Sequence, residues 1–105
     1  MTDTELMPLV LDVLRQESYA IDCLKNNFPV DAFVKAVNYI THELTGKIVI
    51  TGLGKSGDVA KRLATTLTST GTRSVYLHCT EASHGDMGII CDDDLVIGVS
   101  NSGET

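Results

Sequence analysis

Apolar residues recur at helical spacing through residues 3–27: Leu6, Val10, the Val13/Leu14 pair, Ile21 and Leu24, with Asp12, Arg15, Gln16 and Asp22 between them. The pattern predicts an amphipathic helix. Pro8 suits such a helix only in its first turn, where the missing N–H has no intrahelical partner to lose. Asn26-Asn27-Phe28-Pro29 breaks the period. Asp31 then reads as the N-cap of a second helix, with Phe33, Val37, Ile40 and Leu44 as its apolar stripe and Gly46 as the left-handed residue that ends it.

From Lys47 onward the pattern changes. Lys47-Ile48-Val49-Ile50-Thr51 is a β-branched run bounded by Gly52, the composition of a buried strand. A third helix is predicted over residues 56–69, with Val59, Leu63 and Leu67 on one face and Gly71 at its end. Ser74-Val75-Tyr76-Leu77-His78 reads as a second strand, residues 80–88 as a polar stretch with room for one helical turn, and residues 94–100 as a third strand. Helix, helix, strand, helix, strand, loop, strand is the order of an α/β fold with a parallel sheet covered on both faces. Residues 101–105, Asn-Ser-Gly-Glu-Thr, look like a loop opening a helix. Three parallel strands alone leave an unpaired edge, so the expectation is part of a larger sheet or a chain that pairs with another copy.

A length of 105 residues with 43% hydrophobic content fits one domain with one core, residues 1–46 being a helical lead-in and 47–105 the α/β portion. That apolar fraction excludes a disordered tail. No apolar run approaches the roughly 20 residues of a membrane span. The acidic start, Met1-Thr2-Asp3-Thr4-Glu5, is not that of a secretory signal. A net charge of −6 argues against nucleic-acid or anionic-membrane partners, though a local site can still hold a small anion. Cys23, Cys79 and Cys91 are odd in number and lack CxxC spacing, so they read as buried or half-buried free thiols in a reducing compartment, which places the protein in the cytoplasm. No two-histidine metal spacing occurs, Asp92-Asp93-Asp94 reads as a solvated turn, and no cofactor or metal is expected.

Ligands of parallel α/β sheets gather beyond the carboxyl ends of the strands, where three loops fall. The first, Gly52-Leu53-Gly54-Lys55-Ser56-Gly57, fits GxGxxG and brings backbone amides, a cation and a hydroxyl to a helix N-terminus. A dinucleotide site would want an acid at the end of the second strand, which here is His78-Cys79, with Glu81 the first acid. A Walker A loop would need glycine at position 49, which is Val49. The third loop gathers Ser100, Ser102 and Thr105 around Gly103, hydroxyl donors suited to a phosphate dianion. The second carries His84 in Glu81-Ala82-Ser83-His84-Gly85-Asp86, either an acid–base group or a residue that stitches the loop. His42 reads as solvated and His78 as structural.

Gly52-Leu-Gly-Lys-Ser-Gly57, Glu81-Ala-Ser-His-Gly-Asp-Met-Gly88 and Ser100-Asn-Ser-Gly-Glu-Thr105 together resemble the sugar isomerase (SIS) domain, most closely its bacterial D-arabinose 5-phosphate isomerase group, from about Lys47 to Thr105. The resemblance implies a flavodoxin-like sheet and reversible conversion of D-ribulose 5-phosphate to D-arabinose 5-phosphate, for the Kdo sugar of lipopolysaccharide or capsule. It implies that Gly54, Ser56, Ser100, Asn101, Ser102, Gly103 and Thr105 bind the phosphorylated sugar. Lys55 and His84 would be the catalytic residues, and the assembly a homotetramer. The family's catalytic carboxylate and a later histidine fall past Thr105, and Glu104 is not assigned that role. A sugar-phosphate-binding regulatory module without catalysis is the alternative.

Overall fold

Ile48, Val49 and Ile50 have no solvent exposure, and the sheet is built around them. The structure, a computed structural model, describes the backbone of residues 1–105 and every side chain but that of Asp86. Strand β1 (Ile48–Gly52) is central in a three-stranded sheet of order β2-β1-β3, with β2 at Ser74–Tyr76 and β3 at Leu95–Val99. Both pairings are parallel, Ile48 standing opposite Ser74 on one side and Leu95 on the other. Ile48, Val49 and Ile50 are buried on both faces of the sheet, which is why that run is apolar at every position. On β3, Leu95, Ile97 and Val99 pack against the core while Val96 is exposed, so cover on both faces reaches β1 but not β3.

Helix α3 (Lys55–Ser69) packs on the sheet through Gly57, Ala60, Ala64 and Leu67. The expected face of Val59, Leu63 and Leu67 holds only at Leu67, since Val59 is 58% exposed and Leu63 36%. The reason is steric. A Cβ on Gly57 would sit 2.8 Å from the Gly52 carbonyl oxygen and 3.0 Å from the Tyr76 hydroxyl. The helix lies too close to β1 and β2 for bulky residues on that side, and small residues define its buried face.

The amino ends of β1 and β3 are tied together. Lys47 Nζ meets Asp94 Oδ2 at 2.6 Å, the Asp94 side chain being 3% exposed. The same carboxylate accepts the backbone N–H of Lys47 at 2.9 Å and of Cys91 at 2.7 Å. Asp94 is therefore an internal anchor rather than part of a solvated acidic turn; Asp92 and Asp93 alone are exposed. Gly46 has no positive φ and ends no helix in the left-handed conformation. It donates its N–H to the Asp93 carbonyl at 3.1 Å, and a Cβ there would overlap Asp93 and Asp94. Cys91 is exposed, against expectation, because the Asp94 anchor engages its N–H and leaves the side chain outside.

The chain divides into two units, Met1–Val37 and Asn38–Thr105. In the first, helix α1 (Asp3–Asn26) starts at a capping box: Thr2 Oγ1 accepts the Glu5 N–H and the Glu5 carboxylate accepts the Thr2 N–H. That cap sets the start early enough to put Pro8 in the second turn, not the first. Helix α2 (Val30–Asn38) begins before Asp31, which lies in its first turn and complements the helix dipole instead of capping it. Phe28 and Phe33 meet edge to face at 5.2 Å. In the second unit a π-helical turn, Tyr39–Glu43, closes with the Leu44 N–H on the Tyr39 carbonyl at 2.8 Å. Of the expected stripe, Ile40 and Leu44 pack against the core, while Phe33 and Val37 are exposed.

Candidate functional site

Gly54 is the N-cap of α3 with φ 60°, a conformation that L side chains rarely adopt. It offers no side chain to the first turn, so the leading amides of α3 have no side-chain acceptor from the cap. This is how the first loop reverses direction at the end of β1 and starts a helix with its polar end at the sheet rim.

The third loop arrives beside it because Gly52 and Val99 are register partners. The stretch after β3 bends at residues 101–103, as a loop. Its hydroxyls take the amides that a helix would use. Ser100 Oγ accepts the Gly103 N–H at 3.0 Å and donates to Thr105 Oγ1 at 3.0 Å, and Ser102 Oγ accepts the Glu104 N–H at 3.1 Å.

Two adjoining clefts result. One, about 450 Å³, is lined by Lys55, Ser56, Val59, Val99, Ser100 and Asn101. The other, about 270 Å³, is lined by Thr51, Gly52 and Leu53 of the first turn, Cys79 of the second loop, and residues of the third that include Ser100, Gly103 and Thr105. Val99 and Ser100 belong to both. The loops after all three strands thus converge, and Lys55, Ser56, Ser100, Asn101, Gly103 and Thr105 share one groove. Gly54, Ser102 and His84 line neither cleft. Gly54 shapes the turn and Ser102 caps an amide.

The second loop is more helical than its polarity suggests. Helix α4 (Cys79–Ser83) is followed by a 3-10 turn, Asp86–Ile89. His78 caps α4, its Nδ1 accepting the Thr80 N–H at 3.0 Å, which is the structural role read from its place at a strand end. His84 is exposed at the end of α4, and its imidazole has no hydrogen-bond partner among the described residues. His42 is exposed on the π-helical turn. The three cysteines are unpaired, with Cys23 and Cys79 half-buried. Among the described residues no cluster of metal-ligating side chains occurs, and neither cleft contains a carboxylate or an imidazole.

Sequence reasoning does not single out Thr51 or Cys79 for the site, yet both line the groove. The available signal is Thr51 itself, a hydroxyl at the carboxyl end of an otherwise apolar central strand.

A parallel sheet with polar turns meeting at its carboxyl rim is the arrangement of a ligand-binding α/β domain. The SIS domain model matches residues 44–105, and the chain belongs to that family. It is 53% identical over 75 residues to arabinose 5-phosphate isomerase KdsD of Pseudomonas aeruginosa, which covers 71% of this chain and 23% of the relative. Against arabinose 5-phosphate isomerase KpsF of Escherichia coli it is 38% identical over 103 residues, 98% of this chain and 31% of the relative. The solved structure of an Escherichia coli CFT073 protein in complex with arabinose 5-phosphate superposes with a TM-score of 0.91 at 41% identity, covering all of this chain and 55% of that one. The chain therefore spans under a third of these curated relatives and about half of the solved one.

Proposed function

We propose that the chain forms the sugar-phosphate-binding part of an aldose–ketose isomerase that interconverts D-ribulose 5-phosphate and D-arabinose 5-phosphate. The observation that carries the reading is the meeting of the first and third loops in one groove, with Lys55 and Ser56 lining it together with Ser100 and Asn101. Kinship with arabinose 5-phosphate isomerases supplies the substrate class. The phosphate sits at the polar start of α3, held by the hydroxyls of Ser56, Ser100 and Thr105 and by backbone amides. Ser102 and Gly103 keep the third loop in its bent form, and Gly54 keeps the first in its turn.

Isomerisation moves one proton between adjacent carbons through an enediol, while a second proton moves between the two oxygens. Lys55, at the groove edge, orients the substrate and stabilises the negative charge that develops on the carbonyl oxygen. Anchoring the phosphate fixes the reacting carbons relative to that cation. His84, the acid–base candidate from the resemblance, is exposed outside both clefts, so the proposed step draws no group from it. The product would supply Kdo synthesis, in a cytoplasmic homotetramer. No described helix is long and apolar enough to cross a membrane.

The purified protein is mixed with D-ribulose 5-phosphate and the aldose is assayed. Formation of D-arabinose 5-phosphate by the full-length form, lost on Lys55→Met, is the expected result, while the 105-residue chain alone is expected to be weak or inactive. The second reading is a sugar-phosphate sensor that holds the ligand through the same loops without catalysis. Tight binding without turnover selects that reading, and no binding at all discards both.

A further inference from the structure

The rim of the sheet holds a hydroxyl–thiol pair that no part of the phosphate site uses. The β1–β2 ladder ends at Ile50 and Tyr76. One further backbone bond follows, from the Leu77 N–H to the Ile50 carbonyl at 2.9 Å. The next link is made by a side chain: Thr51 Oγ1 donates to the Leu77 carbonyl. Cys79 Sγ lies 3.2 Å from the same hydroxyl. A hydroxyl has one proton, and this one is given to Leu77, so the thiol is the donor to Thr51. The chain of bonds runs one way, from Cys79 to Thr51 to the Leu77 carbonyl. Leu77 is buried, which fixes the far end of that chain.

Thr51 and Cys79 line the cleft that adjoins the Lys55–Ser56 cleft, the two sharing Val99 and Ser100. Resting on the sugar-phosphate reading, we infer that Thr51 and Cys79 form the subsite for the polyol portion of the ligand and set its distance from the phosphate end. The oriented pair leaves one lone pair of the Thr51 oxygen and the sulfur free to accept from sugar hydroxyls. The bridge also holds the start of α4 against β1, so it fixes how far the cleft opens on that side.

The arrangement predicts a split between two probes, measured by calorimetric titration of the 105-residue chain with inorganic phosphate and with D-arabinose 5-phosphate. Thr51→Val keeps the shape and removes the bridge; Cys79→Ala removes the thiol. Each is expected to weaken the sugar phosphate about five- to tenfold and leave inorganic phosphate within about twofold. Thr51→Ser and Cys79→Ser, which keep a donor at each position, restore most of the lost affinity. Equal weakening of both probes means a general loosening of the rim and overturns the inference. So does unchanged affinity for both. Wild-type protein that binds neither probe removes the parent reading, a result separate from a failed split.

Discussion

Asp94 carries the strongest electrostatic commitment among the described residues. Its carboxyl is held down to about 2 from a usual 3.8, first by the hydrogen bond from Lys47 and then by the Cys91 N–H, with burial opposing. Lys47 is raised above its usual 10.5 mainly by the same hydrogen bond. A carboxyl whose folded value lies below its unfolded value contributes fully above about 4, and that contribution fades as pH falls toward 2. The lysine contributes below about 10.5 and fades at higher pH. Denaturant midpoints measured from pH 5 to pH 2 should therefore fall steeply in the native protein and less so in Asp94→Asn. Lys55 is a different sort of cation: it is exposed, and no ion pair to it occurs among the described residues. Lys55→Met should leave the thermal midpoint unchanged and lower turnover by roughly a hundredfold or more, a separation read from a melt and an initial-rate assay on the same sample.

Elements differ in how plainly their sequences announce them. The run Ile48-Val49-Ile50 declares a buried central strand because nothing else explains three adjacent branched apolar residues, and the core lies there. The face of α3 is harder to read, because bulk is a poor guide where a helix approaches a sheet closely. Gly57 and Ala64 are buried while Val59 is exposed, and only the distance to β1 decides that. In the sequence Asp94 is one acid among three; its partner Lys47 is 47 positions away, beyond any local pattern. Mutations should follow the observed faces. Ile50→Ala is expected to cost about 2–5 kcal/mol in equilibrium unfolding. Val59→Ala should stay within about 0.5 kcal/mol. Leu→Ala exchange at position 67 should cost more than at position 63, whereas equal membership in one stripe would make the two alike.

At the scale of the molecule, the proposed function would have a protein of net charge −6 hold a dianion. The reconciliation is local, since amides and hydroxyls at the rim carry no net charge and need none. The long-range field still opposes approach. The association rate of a sugar phosphate should therefore rise with added salt over the range where the Debye length shrinks from about 30 Å to about 10 Å. Stopped-flow traces at about 10 and about 100 mM salt would show it; a rate that falls would mean that a cationic patch steers the ligand. Saturating ligand should also stabilise the fold, by about 2.7 kcal/mol at about a hundred times the dissociation constant, visible as a higher melting midpoint.

The Lys47–Asp94 tie has a mechanical consequence. It ties β1 to β3 at their amino ends, while past the end of their ladder, at Gly52 and Val99, the third loop holds itself through the hydroxyls of Ser100 and Ser102. The strands therefore stay paired along their length, and what can give is the loop beyond them. Deuterium should enter amides 101–105 well before it reaches 48–50, so that the loop proposed to grip the ligand is the first part to loosen.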